Sequence, residues 1–265
     1  MAHKQLKLWF DKELAKTLSK KIKLVHPVFD SRSFIKSVSP QLDALELKDR
    51  IEVFADCLYE HFDSDYKGCI EVLLNVLGPE NEEETGMFKE YYWVMPIAKL
   101  VEKYGLTHFK LSMTALEEIT KRNTSEYAIR PYLEQYQQKT LKQVAKWSKN
   151  KNSHVRRLAS EGIRPRLPWA KKLDTFIEDL SPILPILSNL KGDKSKYVQK
   201  SVANCLNDIY KDNMSAGQEL IEQWISQGSI SKETSWIIKH SLRNLIKKED
   251  KWVMKIMNSS ENLTL

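Results

Sequence analysis

Apolar residues recur at helical spacing almost from the start of this chain. In KLWFDKELAKTLSKKIKLV, Phe10, Leu14, Leu18, Ile22 and Val25 fall every three or four residues and predict one face of an amphipathic helix. Extended alternating runs bounded by turn residues are hard to find. Instead, helical segments follow one another with short breaks at Pro27 to Ser31, Ser39-Pro40, Gly78-Pro79, Gly105, Asn123 to Ser125, Lys149 to Ser153, Pro165 to Pro168, Gly192-Asp193 and Asn213 to Ser215. Ser153, Ser195 and Ser231 stand where helix N-caps are expected. The pattern predicts an all-α protein, and the eight glycines in 265 residues agree with it.

Aligning the breaks brings out a repeat. Tyr127-Ala128-Ile129-Arg130, His154-Val155-Arg156-Arg157, Tyr197-Val198-Gln199-Lys200 and Trp236-Ile237-Ile238-Lys239 each place a base three residues after an aromatic ring or histidine. The last two intervals, 43 and 39 residues, match helix-pair repeats of the HEAT type. Stacked helix pairs put equivalent positions in a row on one concave face. Arg130, Arg157, Lys200 and Lys239 would then follow a duplex backbone, contacting phosphates without reading sequence. The competing reading is a solvated charged face.

Charge adds a modest push in the same direction: 42 Lys and Arg against 35 Asp and Glu give a net +7. Its distribution says more. The run Ser153 to Trp169, SHVRRLASEGIRPRLPW, crowds Arg156, Arg157, Arg164 and Arg166 around the single carboxylate Glu161, and predicts an anionic partner. Cys57, Cys69 and Cys205 show no CxxC spacing, which argues against a disulfide framework or a metal site and for a reducing, cytoplasmic setting. No signal peptide is visible, and no run approaches the ~20 apolar residues of a membrane span. Nucleophile elbows and phosphate-cradling glycine loops are absent, so any chemistry falls to carboxylates.

Two carboxylates are candidates. Glu161 lies two helical turns after His154, on the same face, while the next two repeats carry Asn204 and Arg243 at that position. Asp208 lies one turn after Asn204, so the two acids can approach one another across neighbouring helices. Trp169 follows Pro168 at an expected helix start, where its ring could project towards the same groove. Against these stand ordinary readings: an Asp near a helix C-terminus is exposed to solvent, and a Trp after Pro is packing.

The chain resembles the AlkC-type DNA alkylation repair glycosylases, HEAT-like repeat enzymes related to AlkD. The resemblance runs nearly end to end, through LWFDKELAKTLSKKI, ELKDR, LEEITKRNTSEYAIRP, HVRRLASEGIRPRLPW, KYVQKSVANCLNDIYKD and WIIKHSLRNLIKK. It implies that Glu161 and Asp208 are the active-site carboxylates and that Trp169 borders the lesion. Arg157, Arg164 and Arg166 fall in the matching motif as phosphate or motif support. Arg130, His154, Lys200, Lys239 and Arg243 complete the DNA-binding set expected here.

Repeat and resemblance together predict a right-handed superhelical solenoid of HEAT-like helix pairs with a concave basic face. Residues 1–105 would supply N-terminal helices and 106–258 the repeats carrying the site, in one domain. Some relatives carry an additional immunoglobulin-like C-terminal domain; a chain ending at Leu265 reads as the shorter kind. The implied activity is excision of 3-methyladenine and 3-methylcytosine from double-stranded DNA in base excision repair. The resemblance further implies no base-flipping pocket and no cofactor or metal, and the expected state is a monomer away from membranes. The alternatives are a non-catalytic paralogue that recognises bent or branched DNA, and a protein-interaction scaffold.

Overall fold

Side-chain caps start the helices and the apolar stripe decides which way they face. The computed structural model describes residues 4–86, 88–228, 230–259 and 263, and among them every regular element is helical. Helix α1 (Lys12–Val25) begins at Asp11, whose carboxylate accepts the Glu13 and Leu14 backbone N–H groups, both at 3.0 Å. Leu14, Leu18 and Ile22 are buried as expected. Val25, the last residue of the predicted stripe, is 44% exposed, because the helix ends at His26 before Pro27.

The chain divides into two compact units, residues 1–132 and 133–265. In the first, α1 and α2 (Ser31–Val38) precede α3 (Leu47–Glu60), α4 (Tyr66–Asn75), α5 (Phe88–Tyr91), α6 (Met95–Tyr104) and α7 (Phe109–Thr120). Helix α1 packs on α2, α3 on α6, and α4 on α7. Phe10, Phe34 and Phe54 meet in the core. Gly105 permits a close approach there: a Cβ at that position would collide with the hydroxyls of Tyr66, Ser112 and Tyr132. Helix α8 (Arg130–Gln135) straddles the division.

The second unit contains α9 (Gln137–Trp147), α10 (Ser153–Glu161), α11 (Asp174–Glu178), α12 (Leu184–Leu190), α13 (Lys196–Asp212), α14 (Met214–Ser226), α15 (Lys232–Ile246) and α16 (Lys251–Ser259). Helices α10, α13 and α15 lie side by side, with α9, α12 and α14 packed against members of that row. The ring-and-base motifs open the helices of this row, as the repeat predicts. Ser195 and Ser231 are caps, accepting from Val198 and Thr234 N–H at 3.4 and 3.2 Å. At α10 the cap is Asn152 rather than Ser153: its side-chain oxygen accepts from His154 and Val155 N–H at 2.9 and 3.3 Å. An amide and a hydroxyl stand side by side there, and the amide takes the position.

Helix α13, flanked on two sides, is buried almost all round: Val198, Val202, Cys205, Leu206 and Ile209, but also Ser201, Asn207 and Asp208. No helix among the described residues is long and apolar enough to cross a membrane.

Candidate active site and nucleic-acid interface

The site is built from the end of α10, the loop that follows it, and α13. Glu161 is the last residue of α10, and Asp208 lies one turn before the end of α13. The structure brings them together through a third residue. Arg164 donates from Nη1 to Glu161 Oε1 at 2.6 Å and from Nε to Asp208 Oδ2 at 2.7 Å. The other Glu161 oxygen accepts from the Ser201 hydroxyl at 2.6 Å, and Arg157 Nη2 stands 3.5 Å from Oε1. The second Asp208 oxygen accepts from Lys211 at 3.0 Å.

These groups are deeply placed. The side chains of Glu161, Asp208 and Arg164 are 6%, 2% and 9% exposed. Asp208 therefore does not sit in the solvated position that a place near a helix end suggests; it is buried on α13, the helix that packs against both α10 and α15. Burial pushes the Glu161 carboxyl up, but the charges of Arg157 and Arg164 and the Ser201 hydrogen bond outweigh it and leave the pKa below the usual glutamate range. Burial opposes the Arg164 charge in the same way, and the two carboxylates reverse that, raising its pKa. Both acids have different holds. Glu161 is gripped by three side chains, whereas one oxygen of Asp208 is held by Lys211, whose side chain is 53% exposed. Asp208 is the carboxylate more readily released to a new cation.

The loop departs from expectation. Trp169 opens no helix, since α11 starts at Asp174; it sits in a turn with φ 61° and its ring is 81% exposed. Leu167 and Leu173 on either side are buried. Packing, the ordinary role of a Trp after Pro, does not describe it.

The crowded arginines also read differently in three dimensions. Arg156 donates from Nε and Nη2 to Asp193 at 2.6 and 3.1 Å, Arg166 pairs two-fold with Asp212, and Arg164 joins Glu161 to Asp208. The anions that these three meet in this structure belong to the same unit. Three of those partners, Asp193, Asp208 and Asp212, lie 37 to 46 residues further on, where local sequence cannot reveal them.

The remaining site residues are spread along the row. His154 is buried edge-on to Tyr197, ring centroids 5.3 Å apart, and Arg157 lies over the same ring at 5.1 Å. Lys200 is exposed. Lys239 is half-buried and lines a shallow open cavity with Ile230, Lys232, Ser235 and Trp236. Arg243 donates to the His240 carbonyl at 2.7 Å and to Asn204 Oδ1 at 3.2 Å, so the positions equivalent to Glu161 do adjoin between α13 and α15. Arg130 belongs to the first unit and is 6% exposed.

Ser201, Lys211 and Asp212 are not among the residues expected from the sequence, where they stand among many other polar residues of α13 and carry no distinguishing signal. Lys196, 3.3 Å above the Trp236 ring, and Glu126, a buried carboxylate of the first unit that accepts from the Thr124 hydroxyl at 2.8 Å, are likewise outside the expected set.

Residues 113–245, which hold every one of the sequence-predicted site residues, match a family described as DNA alkylation repair enzyme. The chain is 40% identical over 248 residues to YhaZ of Bacillus subtilis (strain 168), a match covering 93% of this chain and 66% of that protein's length. Among solved structures it is similar to Pseudomonas fluorescens alkylpurine DNA glycosylase AlkC bound to DNA containing an abasic site analog. That match has 35% identity and a TM-score of 0.87, over 97% of this chain and 69% of the other. The expected HEAT-like helical repeat fold is therefore the fold this chain has.

Proposed function

We propose that this chain, which belongs to the DNA alkylation repair enzyme family, is a DNA glycosylase that releases cationic alkylated bases from duplex DNA. The observation that carries the reading is a pair of buried carboxylates, Glu161 and Asp208, on neighbouring helices of the matched segment, with an exposed tryptophan on the loop that follows α10. Resemblance to a glycosylase recorded with an abasic-site analog supports duplex DNA as the partner.

The chemistry suits these residues. Alkylation at a position such as N3 of adenine or cytosine makes the base a cation and a good leaving group, so no strong general acid is required. Positive charge then builds on the deoxyribose as the glycosidic bond breaks, as in sugar hydrolysis. A preorganised carboxylate in a low-dielectric setting opposes that charge. Asp208 takes this task or orients the attacking water, because one of its oxygens is held by an exposed, flexible lysine. Glu161 shares the field. Arg164 helps to keep Glu161 ionised while its charge subtracts from that of the two acids. The exposed face of Trp169 favours a cationic base over a neutral one by cation–π attraction. Arg157, Lys200 and Lys239 hold phosphates, and bending of the duplex, with its elastic cost offset by such contacts, brings the lesion to the site without a flipping pocket.

Single-turnover release of 3-methyladenine and 3-methylcytosine from methylated duplex tests the reading. Asp208→Asn keeps the shape and removes the charge, so release should fall by about 10²–10³-fold, the loss typical of removing one preorganised electrostatic group. One observation favours a second reading: the carboxylates are closed into ion pairs within the protein. A non-catalytic paralogue that binds bent or branched DNA would keep that network as a structural strut. Undiminished duplex binding with no base release by the unaltered protein would establish it.

A further inference from the structure

We infer that Arg166 and Asp212 form a positioning pair that fixes the loop following α10 in the shape that presents Trp169 to a lesion. The role in recognition rests on the reading of Trp169 given above; the hold on the loop does not.

Trp169 has φ 61°, in the left-handed region that a bulky L side chain disfavours. Such a conformation persists only where the surroundings over-determine it. The residue is 81% exposed, and the backbone of the loop carries ties of its own. Leu173 N–H donates to the Pro165 carbonyl at 3.1 Å and Ala170 N–H to the Leu167 carbonyl at 3.2 Å, closing the loop on itself. Leu167 and Leu173 anchor it apolarly.

Three residues before Trp169, the Arg166 guanidinium grips Asp212 with two nitrogens, Nε at 2.7 Å from Oδ2 and Nη2 on Oδ1. The fork of an arginine is satisfied by this two-point geometry. The Asp212 side chain is 7% exposed and that of Arg166 33%. The Arg166 hydrogen bond, against a smaller cost of burial, holds the Asp212 carboxyl below its usual range, and the pair stays ionised at neutral pH. Arg164 makes its own pair two residues earlier, with Asp208. Asp208 and Asp212 are four residues apart on α13, one above the other on one face. The loop is thereby sewn to a single turn of α13 at two points. Arg166 is in the sequence motif as a base, and in the structure it is paired with an acid of α13.

The alternative role, a phosphate ligand, predicts the opposite sign at the partner. Asp212→Asn would release Arg166 to a phosphate and strengthen duplex binding, with excision kept or raised. As a positioning pair, Arg166→Gln and Asp212→Asn should both lower single-turnover release of 3-methyladenine by about tenfold, within the range known for small misplacements of a reacting group. Binding to undamaged duplex and its salt slope should hold. In a Trp169→Ala background, Arg166→Gln should add no further loss, whereas a general loss of structure would add.

Amide hydrogen exchange, measured well below each variant's thermal midpoint, supplies the readout independent of activity: the Ala170 and Leu173 amides should exchange faster in both variants than in the parent, while the core amides of α13 stay protected. Unchanged exchange in both variants would overturn the positioning pair, as would faster excision by Asp212→Asn. Full excision by Trp169→Ala would instead remove the tryptophan from recognition, and the exchange result would still decide whether the pair holds the loop.

Discussion

Arg164 shows how much a single buried residue can decide. It is placed between two carboxylates that are themselves nearly inaccessible, and its guanidinium donates to each of them at 2.7 Å or shorter. Replacing it by Met keeps the bulk and leaves two buried anions facing one another. Breaking a buried network by removing one partner costs about 3–5 kcal/mol, and that loss of unfolding free energy is expected at neutral pH. The pH dependence follows from the direction of the Glu161 shift. Its folded pKa lies below the ordinary glutamate value, so the group stabilises the fold above about pH 4.3 and the contribution is lost as pH falls through the lowered folded value. Glu161→Gln should flatten that acid limb. In Arg164→Met the Glu161 carboxyl loses one of the two arginine charges that lower its pKa, so urea midpoints measured from pH 7 to pH 4 should fall less steeply than in the parent. A Met variant that tracks the parent at every pH would take Arg164 out of the electrostatic core.

At the level of elements, periodicity was enough to predict the helices, and the ring-and-base repeat was enough to align α10, α13 and α15. The contact of Arg243 with Asn204 follows the register drawn from sequence. What periodicity could not supply were the partners in space. A solvated helix end is the ordinary reading of Asp208, and nothing local says that arginines from the preceding repeat will reach it, Asp193 or Asp212. The turn at Trp169 was missed because Pro168 suggests a helix start, while the backbone follows the constraints of Leu167, Leu173 and the two arginine pairs. The N-cap of α10 was misplaced by one residue because Asn152 and Ser153 are both competent caps and only geometry chooses. That choice is testable. Asn152→Ala leaves the first α10 amides without their acceptor and should cost about 1 kcal/mol, while Ser153→Ala should be close to neutral. Chemical denaturation of the two variants measures both, and a reversed order would return the cap to Ser153.

For the molecule as a whole, the net charge of +7 matters through where it is left uncompensated. Arg156, Arg164 and Arg166 spend their charge on acids of their own unit, so the field that a duplex meets comes more from bases such as exposed Lys200 than from the arginine run that dominates the sequence. Counterion release makes this measurable: each phosphate neutralised contributes about 0.9 to the slope of log affinity against log salt. Lys200→Ala should therefore weaken binding to damaged and undamaged duplex alike and reduce the slope by about one contact, with the thermal midpoint held, since surface changes of this kind fall within about 0.5 kcal/mol. Arg156→Ala should do the reverse. It strands the Asp193 carboxylate, whose side chain is 5% exposed, so stability should fall while the salt slope stays as it was. Fluorescence anisotropy with a labelled duplex at several salt concentrations, paired with thermal melts, separates the two. A lost slope in Arg156→Ala together with an unaltered one in Lys200→Ala would restore the arginine run as the phosphate-binding surface and make its internal acids the groups that DNA displaces.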